Sequence, residues 1–176
     1  VNAVTIGTDA FVGVNVESGS MNIQAATDLN YEVATRGVEE IVINAGGGAD
    51  HVEVTGNLNG TGLSFSTITI DLGTGNDTID ASGRTSPHRV VVDGGDGVDT
   101  AVLGFAFGDA GVSYAQIMNG SNFVGVQVTR SIDGVEVADR YTNFENFVFT
   151  DGTKSLSDIF AVAPPNTVNV FDTNGD

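Results

Sequence analysis

The chain has 176 residues, no cysteine, and only six Lys and Arg against 23 Asp and Glu, a formal charge of −17. Disulfides therefore contribute nothing. The basic residues are too few and too scattered to grip nucleic acid or an anionic bilayer, and no run of about 18 apolar residues would span a membrane. The length suits one domain with a continuous core, frequent aliphatic residues argue against general disorder, and divalent cations are the natural counter-ions for such a charge.

In chain order, the N-terminal stretch 1–37 alternates apolar and polar residues around Val4 and Ile6, at 11–16, at 21–25 and at 31–34, with Gly, Ser, Asn and Asp between. The pattern predicts short strands or hairpins that cap the edge of the next segment. No basic-then-apolar leader opens this stretch, and a start at Val1 with a stop at Asp176 reads as a segment of a longer protein.

From residue 38 a unit recurs. β-Branched runs at 41–44, 68–71 and 90–93 end in Asn44, Asp71 and Asp93, enter a glycine turn, and leave through second runs at 51–54, 78–81 and 100–103. The turns are Ala45-Gly46-Gly47-Gly48-Ala49-Asp50, Leu72-Gly73-Thr74-Gly75-Asn76-Asp77 and Gly94-Gly95-Asp96-Gly97-Val98-Asp99. Their aspartates recur after 27 and then 22 residues, which predicts one coil per repeat. Strand alternation turns Ile41, Ile43, Val52, Val54, Ile68, Ile70, Ile79, Val90, Val92, Ala101 and Leu103 inward. The expected fold is all-β: a parallel β-roll or β-helix of few coils at 38–105, stacked because a single rung cannot bury its own face. Return segments 55–64 and 82–88 lack the aspartate pattern, so one edge alone should carry ions.

Past residue 105, strand candidates fall at 111–117, 123–129 and 134–138. Phe144-Glu145-Asn146-Phe147-Val148-Phe149 then echoes 38–43, with Phe147 and Phe149 in the places of Ile41 and Ile43, which predicts a bulkier last rung. Residues 106–160 are expected to form a C-terminal antiparallel and aromatic cap over an open sheet edge, with a helical turn near 155–160. Residues 1–160 make the single domain and 161–176 a linker, whose Asp172-Thr173-Asn174 starts like an EF-hand loop without its glycine and glutamate.

The turns carry the chemistry. Each fits the nonapeptide G-G-x-G-x-D-x-U-x at the second glycine, the fourth-position glycine and the aspartate, with Val52, Ile79 or Ala101 at U. Glycines let the backbone curl and aim carbonyls inward, and the aspartate adds a charged oxygen, which suits a hard cation with about six to eight oxygen ligands. Ala45 and Leu72 stand where the first glycine belongs, so each must hold negative φ or carry backbone strain.

These turns resemble the calcium-binding repeats of RTX (repeats-in-toxin, haemolysin-type) proteins, which bacteria export by type I secretion. The likeness is direct over 38–105 and looser through Asp99-Thr100-Ala101-Val102, Tyr114 and 143–153. It implies a β-roll that binds calcium between stacked turns, in a secreted or cell-surface protein. Carried over residue by residue, it implies Asp50, Asp77 and Asp99 as side-chain ligands, with carbonyls near Ala45, Gly47, Leu72, Thr74, Gly94 and Asp96 completing the shells. Asp71 and Asp93 either ligate or satisfy turn amides. Three turns enclose two gaps, hence about two ions, with room for another at either end.

The expected function is a non-catalytic calcium-binding structural module that folds outside the cell and stabilises a larger secreted protein, with that protein's flanking domains as partners. An adhesive or ligand-binding module contacting polysaccharide, peptide or a cell surface is the alternative, suggested by the length of 106–153. A polysaccharide lyase or epimerase would need a base and clustered cations that do not recur in register here. His51 and His88 are too few for zinc. Phe144, Phe147 and Phe149 read as core, and Glu53, Asp80 and Asp96 as solvent-facing.

Overall fold

Every β-branched run that enters or leaves a glycine turn is a strand in the computed structural model, which describes residues 3–6, 13–17, 20–24, 40–57 and 67–161. First strands β4 (Glu40–Asn44), β6 (Thr67–Asp71) and β9 (Val90–Asp93) pair side by side in parallel, in register from Ile43 to Ile70 to Val92. Second strands β5 (His51–Val54), β8 (Thr78–Asp80) and β11 (Thr100–Val102) do the same, from Val52 to Ile79 to Ala101. Between them the turns pair too: β7 (Thr74–Gly75) lies parallel to β10 (Asp96–Gly97), and Gly47 bridges Thr74.

Both sheets change character at their ends. On one, β1 (Ala3–Ile6) joins β5 in parallel and is followed by β3 (Ser20–Gln24), which β2 (Gly13–Glu17) pairs antiparallel. On the other, β14 (Val135–Thr142) lies parallel to β9 and carries the antiparallel strands β13 (Asn122–Ile132) and β12 (Ser113–Asn119). The chain is thus all-β as expected, in mixed sheets that are parallel through the repeats and antiparallel at their margins. The expected runs at 31–34, most of the return segment 55–64 and all but the first residue of 161–176 lie outside the described residues.

The last rung corrects the expected register. The echo of 38–43 places Phe147 and Phe149 in a first strand, but β15 (Asn146–Phe149) pairs in parallel with β11, so Phe147 continues the column Val52, Ile79, Ala101. Tyr141 of β14, opposite Val92, fills the first-strand place. The reason is the turn: residues 143–145 lie between β14 and β15, so the echo is offset from the true register by half a coil.

Alternation places the core as anticipated. Ile43, Val52, Val54, Ile68, Ile70, Ile79, Val90, Val92, Ala101 and Leu103 are buried, and Ile41 packs against them partly covered. Leu72 and Ala45 join them, at 0 % and 7 % exposure, and neither has positive φ, so the non-glycine first turn position is filled by side chains that enter the core. Tyr141 packs edge-on with Phe144 and Phe147, which tilt against each other, beyond small Ala101, an aromatic end to an aliphatic stack. After β16 (Gly152–Ser155), helix α1 (Leu156–Ala161) seats Ile159 on this core. Reciprocal bonds between Ser155 and Asp158 cap it. No helix of the described residues is long and apolar enough to cross a membrane.

Candidate functional site

Each of the three turn aspartates stands directly ahead of a second strand, and stacking those strands in register stacks the aspartates. Asp50, Asp77 and Asp99 form a buried column at 3 %, 1 % and 0 % exposure. Hydrogen bonds run along it. Asp77 Oδ1 accepts from the Asp50 backbone N–H at 2.7 Å, and Asp99 Oδ1 accepts from the Asp77 N–H at 2.8 Å. The series does not stop there, because Glu145 Oε2 accepts from the Asp99 N–H at 2.8 Å.

Glu145 is the residue that sequence reasoning missed. The signal was present: it precedes Asn146 and the alternating β15 just as Asp50, Asp77 and Asp99 precede His51, Thr78 and Thr100. Backbone bonds repeat the equivalence, with Thr78 N–H donating to Asp50 O, Thr100 N–H to Asp77 O and Asn146 N–H to Asp99 O.

The second carboxylate oxygens behave differently. Asp77 Oδ2 and Asp99 Oδ2 are buried and have no hydrogen-bond partner. Burial raises both carboxyl groups above the ordinary carboxylate range; the amide each accepts from opposes this, and neighbouring acids (Asp50 for Asp77; Asp77, Glu145 and Asp93 for Asp99) add to it. Adjacent strands lie about 4.8 Å apart, and two unit charges at that spacing repel by roughly 3 kcal/mol at an effective dielectric constant of about 20. A buried acceptor beside like charges wants a proton or a cation.

Glycine makes this closeness feasible. Gly73 and Gly75 have φ of 94° and 146°, and a Cβ on them would overlap the carbonyl oxygens of Gly46 and Gly48. The turns touch through their backbones: Thr74 N–H donates to Gly46 O, Gly48 N–H to Thr74 O and Asp96 N–H to Gly73 O. Gly46 and Gly73 carbonyls are therefore each engaged with the next turn, and the Thr74 carbonyl with the one before it. Of the expected main-chain oxygens, those of Gly47, Thr74, Gly94 and Asp96 lie in these stacked turns, and those of Ala45 and Leu72 follow side chains committed to the core. Among the described residues, no group of three or more Asp, Glu and His side chains is arranged to hold a metal ion on its own, so any ion in the gaps must draw on carbonyls as well.

Asp71, Asp93 and Asp96 stand apart, exposed on the rim. Asp93 Oδ1 takes the Gly95 N–H at 3.2 Å and the Asn143 amide at 2.7 Å, the turn-satisfying role rather than a place in the column. His51 is exposed and His88 buried beside Ser86, 3.1 Å from Nδ1 to Oγ, so the two histidines make no joint site.

A second buried polar group lies on the opposite side of the repeat. Arg84, from the return segment, forks onto both oxygens of Asp139 in β14 and onto the His88 carbonyl, while Asp139 Oδ1 also accepts the Val90 N–H at 2.8 Å. Burial pushes the Arg84 guanidinium down, yet the Asp139 charge and hydrogen bond more than restore it. Nearby Arg130, lowered by burial and by Arg84, lies 4.8 Å over the Phe105 ring. Return segment and last rung, 55 residues apart, are tied by this pair. Compared with family models, curated proteins and solved structures, the chain matches none.

Proposed function

We propose that this chain is a non-catalytic, calcium-binding structural module: a parallel β-roll of few coils whose carboxylate column is neutralised by calcium between its stacked turns. The observation that carries the reading is the pair of fully buried oxygens, Asp77 Oδ2 and Asp99 Oδ2, that no donor satisfies. An oxygen-seeking cation meets their need, and turn carbonyls with water would complete its shell. Calcium would supply neutralisation of the column and hence stability; Asp50, Asp77 and Asp99 would hold it, and the glycines would keep side chains out of its way. Calcium-poor conditions would leave the column repelling itself, and calcium-rich surroundings outside a cell would favour the folded state. The setting that fits is a secreted or surface protein, with flanking domains as partners.

Circular dichroism and thermal melts in chelator and in millimolar calcium test this. A chain that melts at the same temperature in both overturns it.

A second reading has its own observation: one oxygen of Asp77 and one of Asp99 is already spent on a neighbouring amide, and the turns bond to each other directly. A hydrogen-bonded stack that needs protons rather than ions would show this geometry too, and the same melts separate the two.

A further inference from the structure

Three places in the chain spell Asn-x-Ser/Thr, the tripeptide at which sugar is joined to an asparagine amide: Asn59-Gly60-Thr61, Asn76-Asp77-Thr78 and Asn119-Gly120-Ser121. The first lies outside the described residues. The fold treats the other two in opposite ways. Asn76-Asp77-Thr78 is built into the stacked turns: Asn76 Oδ1 accepts the Val98 N–H at 3.0 Å, the Asp77 N–H donates to Asp99 Oδ1 at 2.8 Å, and the Thr78 N–H donates to Asp50 O. An enzyme would reach the Asn76 amide nitrogen only by pulling this turn out of the stack.

Asn119-Gly120-Ser121 is the tip of a hairpin. Asn119 pairs with Asn122 at the end of the β12–β13 ladder, which leaves a two-residue turn of Gly120 and Ser121. Gly120 has φ 60° and Ser121 is not at positive φ, the type II′ arrangement. All four residues are exposed, and nothing lies within 4 Å of the place a Cβ on Gly120 would take. β12 is the outermost strand of its sheet, and Met118, next to Asn119, is 50 % exposed. A bulky, hydrophilic chain rooted at Asn119 would stand over that strand and screen it from edge-to-edge pairing.

We propose that Asn119 is an N-glycosylation site whose sugar shields the β12 edge. The donor is a sugar carried on a nucleotide or lipid diphosphate. Asn119 Nδ2 bonds to the sugar's C1 as the C1–O bond to the diphosphate breaks; the diphosphate leaves with that electron pair, and Nδ2 gives one proton to a base of the transferase. The Ser121 hydroxyl, two residues on, is the second element that the transferase recognises. From the calcium reading this inference takes only the exported setting.

Peptide mapping by mass spectrometry of the protein isolated from its own cells, before and after enzymatic release of N-linked sugar, tests this. The peptide spanning 119–121 should carry sugar and the one spanning 76–78 none. Asn119→Gln and Ser121→Ala, both at exposed positions, should each lose the sugar, keep the fold by circular dichroism, and scatter more light on heating than the glycosylated wild type. A bare 119–121 peptide in the wild type, or sugar that survives in Ser121→Ala, overturns the site; unchanged scattering in the variants overturns the shielding. A protein whose melting depends on calcium but which carries no sugar sinks this inference alone, and sugar at Asn119 with no calcium effect sinks the calcium reading alone.

Discussion

Replacing Asp77 by asparagine separates charge from hydrogen bonding in the middle of the column, and the two readings of the site give it opposite signs. Asparagine keeps an oxygen for the Asp50 N–H, now 2.7 Å from Asp77 Oδ1, and discards a buried charge that burial and Asp50 both disfavour. In chelator the variant should therefore melt at or above the wild-type temperature. In calcium it should melt well below. One site at about a hundredfold excess of ion over Kd contributes about 2.7 kcal/mol, and Asp77 borders two gaps, so up to about 5 kcal/mol is at stake. For a chain of this size about 1 kcal/mol moves Tm by roughly 2–4 °C, which makes the loss on the order of 10–20 °C. Asp77→Ala serves as the contrast: it orphans the Asp50 N–H at a cost of about 1–3 kcal/mol whether or not calcium is present. Paired thermal melts of the three proteins suffice. A Tm that drops equally with and without calcium in Asp77→Asn would refute the assignment of that carboxylate as a charge awaiting a cation.

Three further outcomes rest on the same geometry. Gly46→Ala meets open space and suffers only the positive-φ penalty, about 1–2 kcal/mol, whereas Gly75→Ala also drives a Cβ into the Gly48 carbonyl and should lose on the order of 4 kcal/mol or more; urea melts showing equal losses would contradict the stacked turns. Arg84→Met strands the Asp139 charge in the interior and should cost about 3–5 kcal/mol, most of it recovered by adding Asp139→Asn, which still accepts the Val90 N–H; a double variant no better than the single would refute the pairing argument. Without calcium, stability should fall as pH rises from the unfolded carboxylate value of 3.8, because the folded chain holds the Asp77 and Asp99 protons more tightly than the unfolded chain and loses that advantage once pH passes their raised folded values. Saturating calcium should invert the slope, since its ligands must be deprotonated, and the wild-type profile minus that of Asp77→Asn isolates the effect; a difference that grows more favourable to the wild type with rising pH in chelator would count against it.

Most of the fold is legible in local pattern. Alternation at 41–43, 52–54, 68–70 and 90–92 names the inward residues, since side chains in a strand face a single core whatever the long-range pairing. The shared turn also aligns Asp50, Asp77 and Asp99, because each turn keeps six residues between its strands even though the return segments differ in length. Where the turn itself changes length, that logic fails. Phe147 falls in a different strand from the one its echo suggests because the last turn drops three residues relative to the one before, and Glu145 escapes notice because glutamate there breaks the aspartate spelling while keeping its place ahead of a strand. Arg84 and Asp139 leave no periodic trace at all; their partnership depends on which segments the finished coil lays side by side.

The two oxygens of each column aspartate divide the work, and that division decides what an ion could add. One oxygen of Asp77 and one of Asp99 clamp the preceding turn through its backbone N–H, so the register of the stack is held by hydrogen bonds that exist without metal. Their other oxygens are buried without a hydrogen-bond partner, where burial disfavours the charge an ionised carboxylate would carry. A cation entering the gaps would therefore meet a scaffold already in register and remove a penalty, not create the order. Stabilisation of that kind scales with the number of relieved carboxylates and is lost one charge at a time, whereas losing a clamp opens a whole rung. The arrangement explains why asparagine, which spares the clamp, and alanine, which destroys it, must part company in chelator at the same position.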